Sequence, residues 1–361
     1  MKIERIETFV LKADLGEERF FSSQSRFADR ASLIVRVTCD SGLVGYGEGG
    51  VSMSVAHLAT FIHETIAPRL LGRDPLQTGP IWHELYGSFR DFGRAGACVD
   101  AMSGVDIALW DIRGREASLP IHALTGGAFR DRVRTYATGL YYHEDDLRDP
   151  VGAVSRVRDE AAAHVEAGLS AIKGKVGLLS LPYDIARMTA ARETIGDEAL
   201  LMCDANHAYN RHFAARMGRA LDELGCYWFE EPLVPEDVEG CAALRRELSV
   251  AIAAGECEYT IHGMLRLLAA DAVDVLQPDV CACGGLSEAQ RILALAGAFH
   301  TPVCLHVWGS GIAVAAALQI TAVIPPTPFT APRPNRIFSP ETVKFSRLSF
   351  TSGGSTSMPI W

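Results

Sequence analysis

Five short apolar runs in the second half of the chain each end in a carboxylate or an imidazole, and this repetition limits the fold more than any other feature. The runs are LLMCDAN, YWFEEP, AIAAGE, DVLQPD and PVCLHV, with terminal groups Asp204, Glu230, Glu256, Asp279 and His306 spaced 23 to 27 residues apart. A parallel strand, its loop, a covering helix and the return loop need about that length. A ring of such units buries both faces of every strand, so the strands read as uniformly apolar until their C-terminal ends, where polar chemistry collects. The spacing therefore predicts an α/β fold, a (β/α)7β TIM-like barrel with its site at one mouth.

Strand-like segments fall at 132–139, 170–176, 199–205, 226–230, 251–255, 273–278 and 301–307, with a weaker eighth near 321–324. Helical periodicity lies between them at 182–195, 211–224 and 287–299; the last is expected to start after Ser287, with Glu288 in its first turn. The first third reads differently. Residues 3–11 and 32–39 alternate, Asp40-Ser41-Gly42 turns into Leu43–Gly49, and helices follow at 54–70, 79–89 and 97–116, which implies an α+β region with an antiparallel sheet. Gly126-Gly127 marks the seam, giving an α+β capping domain at 1–127, a catalytic barrel at 128–325 and a tail at 326–361. The 12–30 region has no clear period and is expected to be a loop, placed where a lid could act.

Of the 361 residues 48% are apolar, enough for a large core, and the net charge of −10 argues against nucleic acid and anionic membranes as partners. The longest apolar stretch, Ile312–Ile324, is interrupted and falls short of the roughly 20 residues of a membrane span. Nine scattered cysteines suit a reducing compartment, and the N-terminus lacks a signal-peptide core, so a soluble cytoplasmic protein is expected. Cys281-x-Cys283 is too close for ordinary zinc spacing.

Asp204, Glu230 and Glu256, at the tips of consecutive strands, would converge on one point. Without a cation their mutual repulsion and burial would push their pKa values up, and an all-oxygen set favours Mg²⁺ over zinc. Of Glu230 and Glu231 only one can face the barrel axis. Lys173 and Lys175 share a strand face, where two ammonium groups would lower each other's pKa, as a lysine base requires. Asp279 and His306 end neighbouring strands and form a candidate acid/base dyad, while Asn206 faces the same way as Asp204 and could bind a substrate hydroxyl or carboxylate. Gly284-Gly285 before a helix is the one hint of a phosphate site.

Taken together, GLVGYGEGG, SGVDIALWDIRG, the Lys-x-Lys strand, CDANHAYN, WFEEPLVPE, AAGE, LQPDVCACGGLSE and HVWGSG resemble the enolase superfamily, mandelate racemase subgroup, over about residues 1–335. The resemblance implies Asp204, Glu230 and Glu256 as Mg²⁺ ligands, Lys175 as a general base with Lys173 as its electrostatic partner, and His306 with Asp279 as the opposing acid/base. It places Arg26, in the lid around 18–30, and Trp308 beside Asn206 as substrate contacts. The substrate would be a small carboxylate, the assembly a homo-oligomer, and the reaction α-proton abstraction leading to ring opening of a sugar-acid lactone, with acid-sugar dehydration or racemisation as alternatives. The tail ETVKFSRLSFTSGGSTSMPIW departs from the family, whose members continue with a Glu-bearing strand, and Glu341 does not take that place. A shifted reading frame or divergence would account for it, and an inactive or binding-only homologue is the further alternative.

Overall fold

The computed structural model describes residues 1–17, 19–50 and 55–325. The tail at 326–361 and Glu341 lie outside the described residues. In the cap, β1 (Ile3–Asp14) pairs antiparallel with β4 (Asp29–Cys39), and β4 pairs with β5 (Val44–Glu48). Leu33, Val35, Val37 and Cys39 alternate along β4, and all are fully buried. They face α4 (Ala97–Ala117), which is buried on nearly every side, as an α-helix between two layers must be. Helices α1 (Ala56–Phe61), α2 (Ala67–Leu70) and α3 (Thr78–Phe89) complete this layer, with one π-helical turn, Ile62–Ile66, joining the first two.

The glycines of GLVGYGEGG set the contact between β5 and α4. A Cβ on Gly47 would fall 2.0 Å from the Gly104 carbonyl oxygen, and one on Gly45 would fall 2.2 Å from that of Ala108. Both neighbours are helix backbone and cannot move aside, so the strand approaches the helix closely only because these side chains are missing.

After α5 (Ile121–Leu124) the barrel begins. Strands β6 (Ala137–Thr138), β7 (Ala171–Lys175), β8 (Leu200–Asp204), β9 (Trp228–Glu230), β10 (Ala251–Ala254) and β11 (Val275–Leu276) are parallel neighbours in chain order. They alternate with α6 (Pro150–Glu166), α7 (Leu181–Ile195), α8 (Arg211–Glu223), α9 (Val238–Glu247), α10 (Thr260–Ala269), α11 (Gly285–Ala298) and α12 (Gly311–Ala322). The Phe129 N–H donates to the Ala322 carbonyl at 2.8 Å, which returns the end of α12 to the approach to β6.

Four expectations change. The 301–307 strand is reduced to two parallel bridges, Leu276 with Val303 and Asp279 with His306. The weak strand near 321–324 is instead the end of α12, where an alanine-rich run follows an N-cap whose Ser310 Oγ accepts from the Ile312 N–H at 3.2 Å. The helix expected after Ser287 starts at Gly285. Its capping group comes from another element: Asp106 of α4 accepts from the Ser287 N–H (2.8 Å) and Oγ–H (2.6 Å). Finally, 12–30 is not all loop, because β1 runs to Asp14 and β2 (Phe20–Phe21) and β3 (Arg26–Phe27) form a small hairpin.

Cap and barrel meet through buried polar contacts. The Trp82 indole N–H donates to the Gly284 carbonyl (2.7 Å), the Gly284 N–H donates to Ser103 Oγ (2.9 Å), and the Trp110 indole N–H donates to Ser287 Oγ (2.9 Å). The diglycine turn considered for phosphate is thus closed by the cap. Glu48, at the end of β5, accepts from the N–H groups of Ser310 and Ala313, and so caps α12. Among the described residues no helix is long and apolar enough to cross a membrane.

Two predictions follow from this packing. Gly47→Ala should cost roughly 1–3 kcal/mol or more of overpacking, seen as a lower urea midpoint; an unchanged midpoint would contradict the backbone contact. Burial raises the Asp106 carboxyl from 3.8 to about 7, against the opposing bonds from Ser287 and the nearby Arg291. Its folded pKa therefore exceeds its unfolded one. The stabilisation it gives is complete below about pH 4, declines as pH rises and is lost above about pH 7. The stability gap between wild type and Asp106→Asn should accordingly shift against wild type between pH 5 and pH 8; a pH-independent gap would refute this.

Candidate active site

Strand register brings the chemical groups together. Lys175 is the parallel partner of Asp204, and Asp204 is that of Glu230, so three strand tips line up along the barrel mouth. Glu256 follows β10 across Gly255, which takes φ +136° and lies against the backbone of Gln277, a position that resists any side chain. Ligand oxygens of Asp204, Glu230 and Glu256 all lie within 4.8 Å of one another.

Lysine and histidine supply the opposing charge. Lys173 Nζ bonds Glu230 Oε1 and lies 3.6 Å from Asp204 Oδ2, while Lys175 Nζ bonds Asp204 Oδ2 and donates to Asn206 Oδ1 at 2.9 Å. At the other end of the row, His306 Nε2 lies 3.4 Å from Glu256 Oε2. His306 Nδ1 bonds Asp279 Oδ2 at 2.7 Å, and the second Asp279 oxygen accepts from the Cys281 N–H at 2.7 Å. Because a carboxylate oxygen only accepts, Nδ1 carries a proton and Nε2 faces the site.

Burial opposes ionisation of Asp204, but Lys175 and Lys173 outweigh it and hold the carboxyl below the usual range. Burial prevails at Glu230, where Lys173 offsets only part of it and Asp204 and Glu256 add to it, taking the group to about 7. Burial lowers His306, yet Glu256 and Asp279 bring it up to about 9. The expected lowering of Lys175 by its neighbouring ammonium is present, but the net shift of both lysines is upward. Burial and, for Lys175, the neighbouring ammonium do act downward, but the carboxylates outweigh them and both pKa values rise.

The expected residues do not all converge. Lys173, Lys175, Asp204, Asn206, Glu230, Glu256, Asp279 and His306 form one connected network. Glu231 turns outward toward His207 and is linked to the network through the Asn206 amide, which donates to Glu231 Oε2 at 3.3 Å. Trp308 lies in an aromatic group with Phe27 (5.1 Å), Phe20 (6.3 Å) and Tyr141 (6.4 Å), and it is Tyr141 that meets the network, its ring 5.4 Å from Lys175 Nζ. Arg26 is held by the exposed Glu144 at 2.9 Å and is not brought to the carboxylates. Arg30, which sequence reasoning missed, stacks on Trp308 at 3.7 Å. The hairpin carrying Phe20 and Phe27 is docked on the barrel by paired backbone bonds between Phe21 and Tyr142 and by Ser23 Oγ–H donating to the Ala205 carbonyl at 2.6 Å. Gln277 and Trp228 were also missed; both donate to Glu230 Oε2, at 2.8 and 3.0 Å, and hold that carboxylate in place. Gln277 lies in the run that ends at Asp279, two residues before it and on the same strand face, a spacing that could have flagged it.

The donor set fits a hard divalent cation. It is all oxygen, buried and crowded, and Glu256 Oε2 is buried with no hydrogen-bond partner. Cys281 and Cys283 belong to no candidate metal cluster among the described residues.

Residues 7–126 match the mandelate racemase / muconate lactonizing enzyme N-terminal domain, and residues 156–335 match the enolase C-terminal domain-like family. A D-galactarolactone cycloisomerase from Agrobacterium fabrum is 40% identical over 91% of this chain and 84% of its own. An arabinonate dehydratase from Saccharolobus solfataricus is 35% identical, over 89% and 85%. The structure of a racemase from Streptomyces coelicolor with bound magnesium superposes with a TM-score of 0.81 at 32% identity, covering 90% of this chain and 87% of that one.

A cation filling this carboxylate site should stabilise the fold. At a hundredfold excess over its Kd, Mg²⁺ adds about 2.7 kcal/mol, so the melting temperature of the wild type should rise while that of Glu256→Gln stays fixed. Equal rises in both would contradict the assignment.

Proposed function

The chain belongs to the mandelate racemase / muconate lactonizing enzyme family of the enolase superfamily, as an enzyme of the isomerase or lyase type, and we propose that it opens a sugar-acid lactone by Mg²⁺-dependent abstraction of the proton α to the carboxylate. One observation carries this reading: a row of three carboxylates with Lys175 bonded at the Asp204 end and the His306–Asp279 dyad at the Glu256 end. A substrate carboxylate placed over the row would present its α-carbon between two proton-transfer groups on opposite sides.

Asp204, Glu230 and Glu256 would hold the metal. Bound there, Mg²⁺ would take up their negative charge, relieve the field that keeps Lys175 protonated, and stabilise the charge that develops on the substrate carboxylate as the α-proton leaves. Lys175 Nζ or His306 Nε2 removes that proton. The electron pair left behind forms the new double bond and expels the β-oxygen of the ring, and the group on the opposite side protonates the departing oxygen. Asp279 keeps His306 in the orientation and tautomer this needs. Asn206 holds Lys175 and is a candidate contact for a substrate hydroxyl, while Trp308, Phe20, Phe27 and Tyr141 form an aromatic cover that limits water.

The similarity to a cycloisomerase and to a sugar-acid dehydratase supports sugar-acid chemistry and leaves two reactions that share one first step. Supplying lactones and open-chain sugar acids separately, with Mg²⁺, distinguishes them. Consumption of the lactone without 2-keto acid from the open-chain acid is the expected result; 2-keto acid from the open-chain substrate would replace the reading with dehydration. Lys175→Ala and His306→Asn should each lower kcat by roughly 10²–10⁴-fold with Mg²⁺ binding intact. Full activity in either variant would remove that residue from the mechanism.

A further inference from the structure

We propose that His207, Glu231 and Cys257 form a second metal site, with nitrogen, oxygen and sulfur donors suited to a zinc-type ion, on the outer side of the same strand tips. Their ligand atoms lie within 4.8 Å of one another. His207 Nε2 is 3.2 Å from Glu231 Oε2 and 3.4 Å from Cys257 Sγ. Tetrahedral zinc, with bonds of about 2.0–2.3 Å to such donors, sets donor atoms roughly 3.3–3.6 Å apart, close to both spacings.

The histidine is oriented as a ligand. Its Nδ1 lies 3.1 Å from the Leu233 carbonyl oxygen, which can only accept, so Nδ1 carries a proton and Nε2 is the atom that faces Glu231 and Cys257. An outer hydrogen bond of this kind fixes the tautomer in metal sites. Glu231 Oε2 is steadied by the Asn206 amide at 3.3 Å. The local backbone is also committed, since Asn206, His207 and Glu231 all take positive φ (42°, 67° and 45°), and the His207 N–H donates to the Glu231 carbonyl at 2.9 Å. The three residues border a small cavity of about 20 Å³, and the exposure of Cys257 gives an ion a way in.

This donor set differs in kind from the carboxylate row. A thiolate and an imidazole select a softer ion than Mg²⁺, so the two sites would fill independently. Glu231 follows Glu230, Cys257 follows Glu256, and His207 lies three residues beyond Asp204. An ion here would therefore pin three neighbouring strand tips from outside. Through Asn206, which also accepts from Lys175, it would reach the proton-transfer side of the inner site.

Cobalt(II) tests the site directly. With Mg²⁺ in excess, one equivalent of Co²⁺ should produce a thiolate-to-cobalt charge-transfer band in the full chain. The band should vanish in Cys257→Ser, and His207→Gln should weaken Co²⁺ binding at least about tenfold. Absence of the band, or a band unchanged in Cys257→Ser, overturns the proposal. A second readout needs no variant: Zn²⁺ should slow iodoacetamide alkylation of wild-type Cys257 at least about tenfold while leaving Cys98 unaffected, as read by peptide mass spectrometry. Equal alkylation of Cys257 with and without Zn²⁺ would mean that the three side chains are only a hydrogen-bonded cluster.

Discussion

Asp204, Glu230 and Glu256 crowd together at the barrel mouth, the first two fully buried and the third partly so, and much of the surrounding structure compensates for their charge. Isolated buried carboxylates would protonate rather than stay charged. Here Lys173 and Lys175 approach from one strand, His306 approaches from the far end, and Gln277 and Trp228 add neutral donors to Glu230. Each compensating group comes from the barrel's own strands and the loops that continue them. The position of every charge is therefore set by strand register, and a one-residue slip would turn the whole set away from the mouth.

The cap is fastened to the last helices of the barrel by buried hydrogen bonds. Asp106 caps α11, Glu48 caps α12, and two tryptophan N–H groups bridge to the start of α11. These bonds carry the cap's sheet to the barrel mouth, where the Phe20–Phe27 hairpin and Trp308 form an aromatic cover. The β5 glycines belong to the same arrangement, because the strand that ends in Glu48 can lie on α4 only where side chains are absent. Contacts between segments far apart in the chain, such as Asp106 with Ser287, thus join the cap to the barrel.

The sequence made the barrel and its inward-facing groups legible because strand tips recur at nearly constant intervals and a period of two assigns each side chain to a face. Asp204, Glu230, Glu256, Lys173, Lys175, Asp279, His306 and Asn206 fall in one network for that reason. What was not legible depends on long-range contact. Ser287 looks like an N-cap, but Asp106, far away in the chain, takes that role, so the helix starts earlier. The stretch near 321–324 has strand-like residues, yet the alanine-rich segment before it propagates a helix. The lysine pair suggested mutual repulsion, and only the three-dimensional count of nearby carboxylates reverses the sign. Arg26 and Arg30 differ little as letters; the turn of the chain after the hairpin sends one to Glu144 and the other to Trp308.

The central claim is that this row of carboxylates, with proton-transfer groups at either end, makes a carbon acid ionise. Proton NMR in D₂O with Mg²⁺, on a pool of sugar acids, diacids and their lactones, tests it most directly. The account predicts selective loss of the α-proton signal of at least one substrate, and no loss when Mg²⁺ is removed. An α-proton signal that persists across the whole pool, with Mg²⁺ shown to be bound, would contradict it.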